Sequence, residues 1–249
     1  MTQTEILTRL KNVKAVILDM DGVLVDTEPL HMKAFAVFLD QLHIPYDDQY
    51  LFGFIGYSVP DNIKKIYREI LNISDEQAIS EGIKQRDRIY LQLLNTTPLK
   101  PLPGIEQLIV YCKEKRLKLA LASSSDREQI EVIFKNLKTT SGGQFDAQKI
   151  FDVVLSGEDV SHRKPHPEIY NKVCQLLQEE PAHCLTIEDS PAGVTSAVAA
   201  GLTCFALKNR FVAEEKLKHA HLVVEQVEQV TQLLMQHSRN QNLATDSHR

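Results

Sequence analysis

The feature that most constrains the fold is a short apolar segment that runs directly into acidic residues. Residues 13–18 read VKAVIL, and Asp19-Met20-Asp21-Gly22 follow at once. A short, β-branched, apolar run is typical of a strand buried on both faces, as in a parallel sheet covered by helices. The acids and the glycine therefore mark the carboxyl end of a buried strand.

Strands and helices alternate through the second half of the chain. Apolar strand segments are predicted at residues 117–122, 151–155, 184–187 and 203–207, with a weaker one at 222–224. Asp126 and Gln129 predict a capping box at the start of one helix, and Gly201 predicts the end of a small-residue helix at 192–200. This alternation predicts right-handed crossovers and an α/β fold with a doubly wound parallel sheet.

Two further helix predictions concern the second half. A helix after Pro167 is expected to bury four apolar residues: Ile169, Val173, Leu176 and Leu177. The last helix is expected to end near Gln236, so that residues 237–249 form a polar, flexible tail.

An all-helical insert is predicted between the first and second strands. Residues 27–94 lack a convincing strand, and Ile63, Ile66, Tyr67 and Ile70 follow helical spacing. Three prolines in residues 97–104 indicate a stiff, non-helical connector. We therefore expect an α/β core at 1–28 and 97–236, and a small helical domain inserted at 29–96.

Overall charge and apolar patterning bound the partners and the compartment. The formal net charge of −5 disfavours nucleic acid as the main partner but is compatible with a small anionic substrate. No apolar run reaches the length that spans a bilayer, and the first residues lack a signal-peptide apolar region. The four cysteines have apolar neighbours and no Cys-x-x-Cys spacing, which favours buried free thiols. We expect a cytoplasmic protein without membrane contact, and a monomer.

Polar residues follow four of the predicted strands. They are Asp19 and Asp21, then Ser123 to Ser125, then the loop to Lys164, then Glu188 and Asp189. Ligands of such sheets bind at the carboxyl ends of the strands, so these side chains are expected to converge. Asp19 and Asp189, with Glu188 nearby, are oxygen ligands suited to Mg²⁺, and three adjacent acids would repel one another without a cation.

The remaining residue types fit phosphoryl transfer. The hydroxyl of Ser123, with Ser124 beside it, and the ammonium of Lys164 are expected to hold phosphate oxygens. Backbone N–H groups after Ser123 add donors at a helix start. Asp21 is placed to exchange a proton with the leaving or attacking oxygen.

The same residues resemble the haloacid dehalogenase superfamily. Its motifs DxDG(x)₃D[ST]E, a strand-end Ser, K-P-x-P and EDS-x-x-G match, in order, DMDGVLVDTE at 19–28, LASS at 121–124, KPHP at 164–167 and EDSPAG at 188–193. The resemblance implies a Rossmann-like core, Asp19 as the nucleophile that becomes an aspartyl phosphate, and Asp21 as the acid/base. It also implies that the Asp21 carbonyl joins Asp19 and Asp189 on Mg²⁺, with Glu188 close to the metal.

The helical insert is similar to the family's cap, which closes over the substrate and selects the leaving group. In the family's β-phosphoglucomutase subgroup, a cap loop presents an arginine three positions after a glycine. Here Gly56 is followed by Tyr57, Ser58 and Val59, which disfavours a bisphosphate mutase. His31 matches a mutase position, so the mutase stays open. Arg86 is a further candidate, so His31, Gly56, Ser58 and Arg86 are the candidate cap contacts.

Structural alternatives exist for several of these residues. The serines could only cap a helix, Lys164 could be a solvated loop charge, and Glu188 could be a structural partner. His31 could belong to the cap core or a hinge, and Arg86 could lie on a solvated helix face. His162 and His166 have the i, i+4 spacing of a metal pair, but Pro165 and Pro167 deny them a common helix, so no metal is expected there.

Three functions follow, in order of preference. The first is a Mg²⁺-dependent phosphatase acting on a small phosphorylated metabolite, a sugar or polyol phosphate. The second is a phosphohexomutase, in which the phosphoryl group returns to a sugar hydroxyl. The third, of another class, is a non-catalytic phosphate-binding regulator, which the intact set of acids disfavours.

Overall fold

The structure, a computed structural model, describes residues 3–55 and 57–246, with side chains for residues 4–55 and 57–236. The chain divides into two compact units. We call Met1–Asp26 with Lys100–Arg249 the core unit, and Thr27–Leu99 the insert unit.

The core unit is built on a parallel sheet. Its strands, within the described residues, are β1 (Ala15–Leu18), β2 (Lys118–Ala122), β3 (Val153–Leu155), β4 (Cys184–Glu188), β5 (Thr203–Leu207) and β6 (Leu222–Val224). They are ordered β3-β2-β1-β4-β5-β6, and all neighbours are parallel. Every residue of β1, β4 and β5 is buried, as their apolar sequences require. The predicted parallel α/β sheet is confirmed.

Helices flank the strands and build the insert. They are α1 (Gln3–Leu10), α2 (Glu28–Gln41), α3 (Asp48–Phe52), α4 (Val59–Lys65), α5 (Glu76–Thr96), α6 (Ile105–Glu114), α7 (Arg127–Thr140), α8 (Ala147–Ile150), α9 (Glu168–Leu177), α10 (Pro191–Ala199) and α11 (Val227–Asp246). The capping box of Asp126 and Gln129 at the start of α7 is confirmed. The short α1 and α8, and α6 after the proline-rich connector, were not predicted.

Two details of the helix predictions are wrong. Leu176 is 53% exposed, because the buried stripe of α9 runs through Tyr170, Val173 and Cys174 and leaves Leu176 on the outer face. The last helix does not end near Gln236 but continues to Asp246, and the rest of the predicted tail, residues 247–249, lies outside the described residues. Residues 237–246 contain neither glycine nor proline, so nothing in the sequence stops the helix there.

The described residues of the insert unit form helices, turns and irregular connections but no strand, which confirms the predicted all-helical insert. Helix α4 continues into a single π-helical turn, Ile66–Ile70. The unit has its own apolar interior, with Phe38, Ile63 and Tyr90 fully buried. The short α3 is capped by Asp47, whose side chain accepts a hydrogen bond from Tyr50 N–H at 2.7 Å.

The four cysteines are buried and free, which confirms that prediction. No helix in the described ranges has the length and apolar character needed to cross a membrane. The monomeric state, the cytoplasmic location and the absence of nucleic acid as a partner stay predictions.

Candidate active site

The candidate site lies where the strand order reverses. The chain passes from β1 outward to β2 and β3 on one side, and β4, β5 and β6 extend the other side. Ligands of open α/β sheets bind at the carboxyl edge of this switch point. Asp19 follows β1 there, and its N–H donates to the carbonyl oxygen of Ile187 on β4 at 3.1 Å. This pairing sets Asp19 beside Glu188 and Asp189.

Three buried acids meet at this edge. Asp19, Glu188 and Asp189 each offer a carboxylate oxygen, and these oxygens lie within 4.8 Å of one another. Burial, and next the charge of Glu188, raises the pKa of Asp19 to about 7. Burial, and next the charge of Asp19, raises the pKa of Asp189 well above its ordinary value. A divalent cation bound between closely spaced carboxylates compensates their mutual repulsion and favours their ionised forms. Because hard cations prefer oxygen ligands, these residues fit Mg²⁺.

Lys164 reaches into the same cluster. Its Nζ donates to Asp19 Oδ1 at 2.7 Å, to Glu188 Oε1 at 2.5 Å and to the Ala122 carbonyl at 2.9 Å. Burial alone would lower the pKa of Lys164, but the carboxylates of Asp19 and Glu188 raise it well above its ordinary value. The alternative of a solvated loop charge is wrong, because the side chain is only 4% exposed.

Glu188 is held from several directions. Besides Lys164, the hydroxyl of Tyr170 on α9 donates to Glu188 Oε1 at 2.5 Å. The hydroxyl of Ser190 donates to Oε2 at 3.3 Å. A Cβ at Gly193 would lie 1.9 Å from Oε2, so only glycine fits against this carboxylate. Glu188 is therefore both a structural partner and a member of the acid cluster.

Replacing Tyr170 with Phe is expected to weaken Mg²⁺ binding about tenfold, because the lost hydroxyl orients a carboxylate of the cluster. Tyr111→Phe is the matched control: its hydroxyl is also buried and donates to the carbonyl of Leu234 at 3.0 Å. Calorimetric titration with Mg²⁺ measures the affinity of both variants. Equal affinities would show that the Tyr170 hydroxyl does not orient Glu188 for a metal.

Asp189 has its own support. Asn209, just beyond the end of β5, donates from Nδ2 to Asp189 Oδ2 at 2.7 Å. Gly22 lies directly against the same oxygen: a Cβ there would be 1.9 Å from Oδ2. Gly22 also has a φ of +77°, which favours glycine for conformational reasons as well. The glycine of the first motif thus makes room for the acid of the fourth.

Asp21 connects to the serines after β2. The hydroxyl of Ser125 donates to Asp21 Oδ2 at 2.7 Å, and Ser125 N–H donates to the hydroxyl oxygen of Ser123 at 3.0 Å. Ser123 is fully buried, whereas Ser124 is exposed and its carbonyl accepts from Arg163 at 3.3 Å. Phosphate binding by Ser123 and Ser124 stays a prediction, as does a metal contact from the Asp21 carbonyl.

In the insert unit, the buried Arg86 contacts the half-buried His31. Arg86 Nη2 lies 2.7 Å from His31 Nδ1, and its guanidinium lies over the rings of Phe35 and Tyr90. Burial, and next the charge of Arg86, lowers the pKa of His31 well below its ordinary value, so His31 is a neutral acceptor. The solvated-face alternative for Arg86 is wrong, because its side chain is 0% exposed. Substrate contact by either residue stays a prediction.

The other insert candidates differ in what the structure describes. His31 lines a pocket of about 150 Å³ within the insert, together with Glu28, Phe35 and Tyr57. Ser58 is the N-cap of α4, and its hydroxyl oxygen accepts from the N–H of Asp61 at 3.2 Å. Gly56 lies outside the described residues.

Three polar contributors were not assigned from the sequence. Tyr170 sits within the buried stripe of α9 and gave no signal apart from ordinary core spacing. Ser125 lies in the serine run, but only the structure pairs it with Asp21. Asn209 follows the carboxyl end of β5, so the rule that found the other strand-end residues could have found it as well.

Comparison with known proteins identifies one family and several similar proteins. The haloacid dehalogenase-like hydrolase family model matches residues 16–207. The phosphorylated carbohydrates phosphatase of Thermotoga maritima is 34% identical over 193 residues, covering 76% of this chain and 82% of that protein. The β-phosphoglucomutase of Bacillus subtilis is 28% identical over 224 residues, covering 88% and 92%. The crystal structure of β-phosphoglucomutase from Clostridium difficile superposes with a TM-score of 0.70 at 26% identity, covering 93% of this chain and 99% of that one.

Proposed function

Because the chain belongs to the haloacid dehalogenase-like hydrolase family, we propose that it is a Mg²⁺-dependent phosphatase that acts through phosphoryl transfer to Asp19. Membership confirms the resemblance found in the motifs and the assignment as an enzyme of the hydrolase class. The observation that carries the proposal is the buried contact of Asp19 with Lys164 beside Glu188 and Asp189.

Asp19 is the nucleophile in this proposal. One oxygen, Oδ1, accepts from Lys164, which fixes the carboxylate and leaves the second oxygen to attack phosphorus. Lys164 stays protonated because two carboxylates face it, so it also offsets negative charge on the transferring phosphoryl group. The product of this step is an aspartyl phosphate on Asp19.

Asp21 is the proton-transfer group. Ser125 donates to its Oδ2 and thereby fixes the orientation of the carboxyl group. The half-buried Asp21 protonates the departing substrate oxygen and then takes a proton from the water that hydrolyses the aspartyl phosphate. The same group thus acts once as an acid and once as a base.

Mg²⁺ is the cofactor of the proposal. The side chains of Asp19 and Asp189 and the backbone carbonyl of Asp21 would hold it, with Glu188 nearby. Bound there, the ion supplies positive charge between these acids and the substrate phosphate. The cluster holds three carboxylates and one ammonium, so its charge without metal favours a divalent cation.

Mg²⁺ is expected to raise the unfolding temperature more at about pH 8 than at about pH 5. In the metal-free protein the pKa of Asp19 is raised from 3.8 to about 7, so the folded state binds its proton more tightly than the unfolded state. That contribution to stability is complete below the unfolded pKa and is lost as the pH rises through 7. Lys164 stays charged at both pH values and does not oppose the trend.

Thermal unfolding with Mg²⁺ and with EDTA at the two pH values measures this difference. If Mg²⁺ raised the unfolding temperature equally at both pH values, the cation would not be relieving repulsion between the ionised buried acids.

The substrate class is a small phosphorylated carbohydrate. The name of the Thermotoga maritima relative supports this class, and its identity to this chain is 34%. Release of inorganic phosphate from a panel of sugar, polyol and carboxylate phosphates, with Mg²⁺ or EDTA, tests the proposal. Metal-dependent release concentrated on carbohydrate phosphates supports it, and release only from non-carbohydrate phosphates would contradict the substrate class.

A phosphohexomutase is the second candidate, favoured by the similarity to the Bacillus subtilis enzyme. Val59 disfavours a mutase, because Val59 stands where that subgroup carries an arginine. Val59 is the first residue of α4 and follows the helix N-cap Ser58. Conversion of β-glucose 1-phosphate to glucose 6-phosphate in the presence of a sugar bisphosphate, without phosphate release, would establish the mutase instead.

A further inference from the structure

A second group of metal-ligating side chains lies outside the acid cluster. His162, His166 and Glu168 each present a ligand atom, and these atoms lie within 4.8 Å of one another. Pro165 and Pro167 do keep the two histidines out of a helix, as the sequence indicated. The turn nevertheless brings the imidazole rings together, with their centroids 4.7 Å apart.

We propose that His162, His166 and Glu168 form a binding site for Zn²⁺, separate from the Mg²⁺ site and independent of the proposed activity. Two imidazole nitrogens and one carboxylate oxygen are a donor set that Zn²⁺ accepts, with water completing the coordination. Mg²⁺ prefers oxygen ligands alone. We therefore expect Mg²⁺ to bind the acid cluster and Zn²⁺ to bind the group with two histidines.

The carboxylate of this group is held in place before any metal arrives. Glu168 Oε1 accepts from Ser161 N–H at 2.8 Å, and Oε2 accepts from His162 N–H at 2.9 Å. The Ser161 N–H, and next the side chain of His162, lowers the pKa of Glu168, so this ligand is charged at neutral pH. An ordered, ionised carboxylate reduces the entropic cost of binding an ion.

The distances suit a chelate. His162 Nδ1 lies 3.0 Å from Glu168 Oε2, in a hydrogen bond that the metal replaces, and His166 Nδ1 lies 3.9 Å from the same oxygen. Donor atoms around a tetrahedral Zn²⁺ with bonds of about 2.0 Å are about 3.3 Å apart, so small side-chain rotations complete the site. Both imidazoles can make them, because their side chains are 69% and 52% exposed. The hydrogen bond from Glu168 N–H to His166 Nδ1, at 3.3 Å, is long and easily replaced by the metal.

Neighbouring cations do not oppose the binding of an ion here. Arg163 pairs with Asp126 at 2.6 Å, and Lys164 turns inward to Asp19. Lys172, one turn further along α9, donates to the carbonyl of Asp159 at 2.5 Å. Each of these three positive groups has a partner elsewhere, and the carboxylate of Glu168 contributes a negative charge to the proposed site.

Calorimetric titration of the full chain with Zn²⁺, in excess Mg²⁺, tests the proposal. Wild type, the control variant His219→Ala and the acid-cluster variant Asp189→Asn are each expected to bind Zn²⁺ at this site. His162→Ala and His166→Ala are each expected to weaken that binding at least about tenfold. Both replaced side chains are exposed, and circular dichroism without Zn²⁺ verifies that the variants fold.

Two results would overturn the proposal. One is unchanged Zn²⁺ binding in both His162→Ala and His166→Ala. The other is loss of all Zn²⁺ binding in Asp189→Asn, which would place the ion in the acid cluster.

Discussion

Asp19→Asn is expected to lower phosphate release at least about a thousandfold, because an amide oxygen does not replace a carboxylate as the attacking nucleophile. The side chain keeps its size, and its oxygen can still accept from Lys164, which donates at 2.7 Å in the wild type. Steady-state phosphate release with the best substrate of the panel measures the loss.

The fold is expected to survive this change. Asp19 is one of three buried acids whose charges repel, and Lys164 keeps Glu188 as a partner at 2.5 Å. The metal-free variant should therefore unfold at a temperature no lower than the wild type. Asp152→Asn is the matched control, since this exposed carboxylate accepts Leu119 N–H at 2.8 Å and is not part of the acid cluster. Undiminished turnover in Asp19→Asn would show that Asp19 is not the nucleophile.

Gly22→Ala is expected to reduce both Mg²⁺ affinity and turnover by at least about tenfold. The new methyl carbon would lie 1.9 Å from Asp189 Oδ2, so the carboxylate has to move away from Asp19 and Glu188. The positive φ of +77° adds a conformational cost to the same change. Mg²⁺ titration and phosphate release at saturating Mg²⁺ measure the two losses.

Gly142→Ala separates these two causes. Gly142 also has a positive φ, +63°, but a Cβ there meets nothing within 4 Å. This control is expected to lose about 1 kcal/mol of stability, because alanine is disfavoured at a positive φ, and to keep its activity. If Gly22→Ala and Gly142→Ala had the same Mg²⁺ affinity, the close approach of Gly22 to Asp189 would have no role in holding the metal site.

The sequence predicted the sheet and most of the acid cluster because both follow from short-range patterns. Buried parallel strands are continuous apolar runs, and residues directly after such runs meet at one edge of the sheet. Asp19, Glu188 and Asp189 were found in this way. Asn209 obeys the same rule after β5 and was overlooked, although its side chain donates to Asp189.

Residues whose roles depend on distant partners could not be found in this way. Tyr170 looks like an ordinary core residue of α9 until β4 places Glu188 against its hydroxyl. Arg86 lies among polar residues that suggest a solvated face, but His31 and two aromatic rings, from Phe35 and Tyr90, enclose it. Whether a charge is buried depends on how neighbouring elements of the insert pack, so the residue spacing along one helix does not predict it.

The residue that carries the phosphoryl group during turnover distinguishes attack by Asp19 from direct attack by water. The enzyme is mixed with substrate and Mg²⁺, quenched in acid during turnover, digested and analysed by mass spectrometry, with Asp19→Asn treated in parallel. One acid-stable, base-labile phosphoryl group is expected on the peptide that contains Asp19, and none is expected in the variant. A phosphoryl group on a different residue, or an equal amount of phosphorylated peptide in Asp19→Asn, would contradict attack by Asp19.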